Sequence, residues 1–525
     1  MSQNKSKFIV LSDKAGSVFT GWLITNSEPW MIPNKATPYA RNFRVNGGWI
    51  SIRPWFYQFG QDLWASDYPR GITIYSRFLP SNDRIITRYN IDGTHKLVSI
   101  EPTIGTQTSI LTGANITSDN RMNFVAMNDS LYCMNGVNPY GKLNGTTYTT
   151  PTLGITLIPS FATTYSNYVW ASGYSASPWT VYQSALNNGA DFAGTGSSQI
   201  DFPYPITGLA STSQTLYIFS DSTIDMINQN SIKQISSTAL RYTSLPLEAT
   251  EGAVNHNSIA SFGKNVYFLS KSNKIKMVAP NSQQNYDCIE VSHRANRWIN
   301  KTMDSLDPDQ SDSFCYVIPD KQLIKWHLKS RWATFSDVCI VYNTEYDEFM
   351  IDTQKNFYGG VNYHTKNFTI SQVEPKLYQD EYGSSDDDMA IQFEYNTKIL
   401  NFGDQTINKC LWMLRTYLSI NELGELYQEI YADGALVDRK LIDNNTIIPV
   451  DGIGTEAVGT FAIGTEWETP DTLYNTVIVR DKGYLRVKAK NFQIRFTWSK
   501  LWTECLLQST TPQIEMLHWL TTSHY

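Results

Sequence analysis

Hydrophobic and polar positions alternate with a period of two through most of this chain, and short polar turns interrupt the alternation. The stretch Leu216 to Ile227, LYIFSDSTIDMI, shows it most clearly. Leu216, Ile218, Ile224 and Met226 alternate with more polar neighbours, and Asp221 and Ser222 sit between the two runs. Such a pattern predicts a β-hairpin, because successive strand side chains point to opposite faces. The figure returns as NVYFLSKSNKIKMV (Asn265 to Val278, turning at Ser270 to Lys274) and as CYVIPDKQLIKWHL (Cys315 to Leu328, turning at Pro319 and Asp320). Looser copies start at Ser130, Asn167 and Glu345, the last reading EYDEFMIDTQKNFYGGV.

The repeat cores fall near residues 131, 168, 216, 266, 314 and 349, at steps of 37, 48, 50, 48 and 35 residues. Strand repeats of roughly 40–50 residues suit the blades of a β-propeller. A series of unrelated hairpins in a large sandwich is the plainer alternative. The expected fold is therefore all-β: a β-propeller of about six blades, with an additional β-sandwich-like domain toward the C-terminus.

Residues 1–70 read as an N-terminal arm and first strands. Within them Asn46-Gly47-Gly48 is a hairpin turn between Phe43–Val45 and Trp49–Ile52. The propeller is expected over 71–383, starting with Ile72 to Phe78 and the hairpin Ile85 to Ile100. The best helix candidate is short, His293 to Met303 with Ser292 as its cap. Ser384-Ser385-Asp386-Asp387-Asp388 marks a linker. Longer alternating strands follow over 384–510, with Ala432-Asp433-Gly434-Ala435 as a turn. Residues 511–525 are apolar enough to dock back on the body.

Composition narrows the class. Aromatic residues make up 13% and charged residues only 17%, below the usual quarter, so the surface is polar but weakly charged. A net charge of −7 argues against tight nucleic-acid binding; on charge alone an ordinary soluble protein is the first reading, and a surface past which DNA slides is compatible with it. The six cysteines are scattered without CxxC spacing, which speaks against a disulfide framework or zinc site. The N-terminus lacks a signal-peptide core and no apolar run reaches transmembrane length, so a soluble chain made in the cytoplasm is expected.

No catalytic, cofactor-binding or metal-binding residue is assigned. The chain has no GxSxG, P-loop, HExxH or dinucleotide fingerprint, and no Asp-box or WD signature. The loop from Asp304 to Asp312 is dense in carboxylates, but lacks the glycine and closing Glu of a calcium loop. Lys271, Lys274 and Lys276 fall along one hairpin, and Arg294 and Arg297 near the helix candidate. A solvated surface is the default for both; the sharper reading is contact with an acidic neighbour or DNA.

The segment Ala40-Arg41-Asn42-Phe43 … Gly47-Gly48-Trp49-Ile50-Ser51-Ile52-Arg53-Pro54 resembles the N-terminal "N…G…RPG" segment of the nozzle proteins of short-tailed phages. That family includes the packaged-DNA stabilisation and tail tubular proteins. Trp55 stands where a Gly often follows the Pro. TLYIFSDSTIDM, VYFLSKSNKI, Phe349 to Tyr358 and the Lys398 to Val437 region are similar to later segments of the family. The resemblance implies a non-catalytic virion protein. Its propeller subunits would join in a hexameric ring below the portal and adaptor, beside tail fibre or spike proteins. The ring would retain the packaged double-stranded DNA and pass it during ejection. Gly452 to Gly464 and Ser184 to Ser198 are then candidate loops for a channel constriction or partner contacts. The alternative is a propeller enzyme or lectin acting on surface glycans.

Overall fold

The computed structural model describes residues 7–8, 31, 37–46, 49–54, 56–63, 68–76, 83–91, 94–109, 116–228, 232–234, 240–247, 249, 251–280, 286–294, 306–307, 309–331, 333–353, 356–382, 391–400, 408–420, 426–442, 448–449, 476–480, 487–498 and 505–515. It divides into two units: Tyr57–Asp347 with Thr353–Glu381, and Met1–Phe56 with Glu348–Asp352 and Tyr382–Tyr525.

The first unit is a β-propeller. Seven antiparallel sheets follow one another around it, and each contributes its first strand to the axis. These inner strands are Ile72–Tyr75, Asn123–Met127, Phe161–Tyr165, Ile206–Ser211, Ile259–Phe262, Phe314–Ile318 and Phe357–Tyr363. Each touches the next, and the seventh touches the first, so the ring closes. Blades 1 to 7 are numbered in that order. The six repeat cores and the Ile72 to Ile100 strands that open the expected propeller together correspond to the seven sheets among the described residues.

Over Thr215–Ser220 the structure replaces the expected alternation with burial on both faces. In blade 4, Thr215–Ser220 pairs with Ile224–Asn228, and every residue of Thr215–Ser220 is buried. Leu216 and Ile218 point into a cluster with Trp170 and Val181 of blade 3. Tyr217 and Phe219 point the other way, to Val266 and Phe268 of blade 5. A strand covered on both faces reads as a continuous apolar run. Blade 2 repeats the device: Leu131 and Cys133 meet Ile86 and Leu97 of blade 1, while Tyr132 and Met134 meet Val169 and Ala171 of blade 3. The Ser220–Thr223 turn is held by Ser220, whose Oγ accepts from the Thr223 N–H at 3.0 Å.

Blade 7 is completed from the other end of the unit. Tyr57–Gln58 pairs with Leu377–Asp380, so the propeller begins before residue 71. Phe59 N–H donates to Leu377 O at 2.8 Å, and the Phe59 ring meets Phe368 edge-on at 4.9 Å. The two ends of the ring are thereby clasped. The Glu345 copy is not a hairpin. Its second half, Phe357–Tyr363, is the inner strand of blade 7 and pairs with Lys366–Ser371, while Glu348–Asp352 belongs to the second unit. At the helix candidate the described residues form one 3-10 turn, Ser292–Arg294; the rest of it lies outside them.

The second unit carries two sheets. One has the order Tyr39–Arg41, Phe393–Asn396, Phe492–Trp498, Leu426–Ala432, Ala435–Ile442. The other runs Phe43–Asn46, Trp49–Ile52, Cys505–Glu515, Lys409–Ile420, Thr476–Arg480, Ile448–Pro449, with Lys7–Phe8 and Val487–Ala489 at its sides. Phe43 of one sheet meets Tyr395 of the other, ring centres 6.3 Å apart. The N-terminal strands thus pair with C-terminal ones, and residues 511–515 extend a strand beside Lys409–Ile420. Both sequence-read turns close hairpins here: Asn46 pairs with Trp49, and Ala432 with Ala435 across Asp433 and Gly434, both at positive φ.

Candidate functional site

Residues of the Ala40–Pro54 segment meet inside the second unit. Asn42 holds φ +55°, and its side chain is buried between partners. Its Nδ2 donates to Gln392 O at 2.6 Å, and its Oδ1 accepts from Arg53 Nε at 3.1 Å. The Arg53 N–H donates to Asn42 O at 3.0 Å. Arg53 is wholly shielded from solvent, so its charge depends on these partners. Next to them, Arg44 makes a two-pronged pair with Asp352, Nη1 to Oδ1 at 2.8 Å and Nη2 to Oδ2 at 2.6 Å. Asn42 N–H donates to Ile351 O at 2.7 Å. The motif is therefore a buried polar lock on Glu348–Asp352.

In the propeller, a cavity of about 150 Å³ lies on the axis. Its wall comes from the beginnings of inner strands: Gly71–Thr73 of blade 1, Arg121–Phe124 before and in blade 2, His256–Asn257 ahead of blade 5, Phe314–Cys315 of blade 6 and Tyr358–Gly360 of blade 7. None of these side chains is a carboxylate. Gly71 has φ +124°, and a Cβ there would collide with the Met122 carbonyl oxygen. Arg121 lies across the cavity with its guanidinium carbon 3.9 Å from the centre of the Tyr358 ring. Its Nη1 and Nη2 donate to the carbonyls of Ser313 and Asp312, at 3.2 and 2.8 Å. Burial lowers its pKa from the ordinary value, and neighbouring Tyr358 and Asp312 oppose that. His256 stacks on Phe161 at 4.9 Å and accepts the Leu209 N–H at Nδ1, 3.3 Å away. Burial depresses its pKa to about 4, so the ring is neutral at pH 7.

The three lysines of the basic hairpin are each paired. Lys271 pairs with Asp221 at 2.6 Å, Lys274 with Glu290 at 3.0 Å and Lys276 with Glu251 at 3.2 Å. The basic hairpin is therefore matched by acids of its own unit. In the acidic loop, Asp307 pairs with Lys329 at 3.0 Å and Asp309 accepts the Ser311 N–H at 2.9 Å. These carboxylates turn to the loop's own backbone and Lys329, and among the described residues no group of acids, His or Cys gathers as a metal site. Asp304 and Arg297 lie outside the described residues, as does the Gly452 to Gly464 loop. Ser184 to Ser198 is anchored at several points: Phe192 is buried between blades 2 and 3, its N–H donates to Leu153 O at 2.9 Å, and Tyr140 Oη donates to Gly189 O at 3.0 Å.

Two features carried no sequence signal. Between blades 6 and 7, Lys325 Nζ lies 2.6 Å from Asp380 Oδ2 and 2.7 Å from Glu381 Oε1, all three side chains shielded. Tyr316 donates to the same Asp380 oxygen. On blade 3, Trp179 and Tyr204 are 47% and 46% exposed, and the Phe202 N–H binds the Trp179 carbonyl. Leu186, in the neighbouring loop of the same blade, is 51% exposed.

No protein-family model matches the chain, and no curated protein matches it. Among solved structures it is similar to YCF48 bound to D1 peptide, at 10% identity and a TM-score of 0.39, covering 66% of this chain and 98% of that one. It is likewise similar to YCF48 from Cyanidioschyzon merolae, at 11% identity and a TM-score of 0.37, covering 62% and 98%. The propeller assignment rests on the closed ring of sheets described above.

Proposed function

We propose that this chain is a structural virion protein, the ring-forming subunit of a short-tailed phage tail nozzle. In this reading it performs no covalent chemistry. Six copies surround a conduit, meet the adaptor or portal-proximal proteins and the fibres or spikes, and retain then release double-stranded DNA. The observation that carries the reading is the axial cavity. A glycosidase needs two carboxylates about 5–9.5 Å apart flanking its substrate, and this wall offers none and is crossed by Arg121 on Tyr358. The resemblance around Asn42 and Arg53 supplies the family.

A cyclic assembly needs a heterologous interface on each subunit, and aromatic residues are enriched in such surfaces. Trp179, Tyr204 and Leu186 are the best candidates on the propeller. The test is native mass with and without Trp179→Ala/Tyr204→Ala. A ring many times 59.7 kDa that weakens in the double variant supports the reading. Turnover or specific binding of a polysaccharide by a monomer would favour the glycan alternative.

A further inference from the structure

The residues that line the axial cavity bring hydrogen-bond donors together and include no carboxylate. Arg121 makes no ion pair among the described residues, and its Nε is buried without a hydrogen-bond partner. The nearby Asp312 carboxylate takes the Tyr358 hydroxyl, at 3.2 Å, rather than the guanidinium. His256 accepts at Nδ1 from Leu209, so the neutral ring carries its hydrogen at Nε2. Asn257 adds a side-chain amide to the wall, and Thr73 a hydroxyl. Asp312 stands near enough to favour the charged guanidinium, but it does not bond it through its carboxylate; an anion in the cavity would add a second, direct counter-charge.

We infer that the axial cavity binds one small monoanion, a halide or a free carboxylate, against Arg121, with His256 and Asn257 as further donors. A volume of about 150 Å³ admits such an ion and excludes a sugar chain or a nucleotide. Arg121 stands ahead of blade 2, Ser313 ahead of blade 6 and Tyr358 in blade 7. The ion would therefore staple three blades at the axis. It makes the propeller's stability depend on anion identity, whether or not the subunits form a ring.

The experiment uses the full chain. Thermal unfolding is followed while chloride, bromide, acetate or phosphate replaces gluconate at fixed ionic strength, and crystals are soaked in bromide for anomalous diffraction. Saturable stabilisation by chloride, bromide or acetate is expected, with a bromide peak in the cavity beside Arg121. Arg121→Gln should weaken the anion response at least tenfold. Asn257→Asp puts a carboxylate inside the wall; it should fold without added anion and lose the response, which keeps the test open if Arg121→Gln fails to fold. An empty cavity in bromide, stabilisation by phosphate alone, or an unchanged response in either variant would overturn the inference.

Discussion

Lys325→Met removes a fully buried ammonium between blades 6 and 7 and changes side-chain volume little. In the native protein its Nζ touches Asp380 at 2.6 Å and Glu381 at 2.7 Å. Lys321 reaches Glu381 at 3.3 Å, but about a third of its side chain is exposed. Without Lys325, Asp380 and Glu381 lose the ammonium that both contact in the shielded space. Stranding one member of a buried ion pair costs about 3–5 kcal/mol, and the second carboxylate places this case at the upper end. Lys325→Met/Asp380→Asn removes one stranded charge and should recover part of the loss. Urea unfolding followed by tryptophan fluorescence measures both, since Trp326 and Trp170 lie in the propeller core. A loss below about 1 kcal/mol for Lys325→Met, the scale of a surface pair, would refute the reasoning. So would a double variant as unstable as the sum of the singles.

The same reasoning extends to three other sites. Asn42→Gly keeps the positive φ but strips the Arg53 and Gln392 contacts; a loss of about 1–3 kcal/mol is expected from the stranded polar partners, and a neutral result by chemical denaturation contradicts the lock. Phe59→Ala opens the clasp of blade 7 at a cost of about 3–5 kcal/mol, and limited proteolysis should then cut first near residue 57. His256 is held near pKa 4 against 6.5 when unfolded. Because the folded value is the lower one, its contribution to stability is full above pH 6.5 and is lost as pH falls toward 4. That loss is at most about 3 kcal/mol by linkage, and His256→Gln should flatten that part of the pH profile.

What the sequence made legible follows from local physics. TLYIFS and the polar Asp221-Ser222 break after it marked the hairpin, while the burial of both faces of that strand and the Ser220 Oγ that accepts from the Ser222 and Thr223 N–H groups needed the fold. The clasp was invisible: Tyr57–Gln58 is two residues long and its partner lies more than 300 residues downstream. The axial group was invisible for a related reason. Arg121, Ser313 and Tyr358 meet only because three strands begin at one axis, and no spacing encodes that. Lys271, Lys274 and Lys276 showed their hairpin correctly, but their acidic partners arrive from Asp221, Glu251 and Glu290. The Asn42…Arg53 pattern was legible as a motif; its work as a buried lock needed the fold.

The most direct measurement is the mass and image of the purified 525-residue chain under native conditions. The account requires a closed ring of six copies around a central conduit, seen by negative stain and native mass measurement alike. A stable monomer of 59.7 kDa at micromolar concentration, with or without a bound glycan, would contradict it.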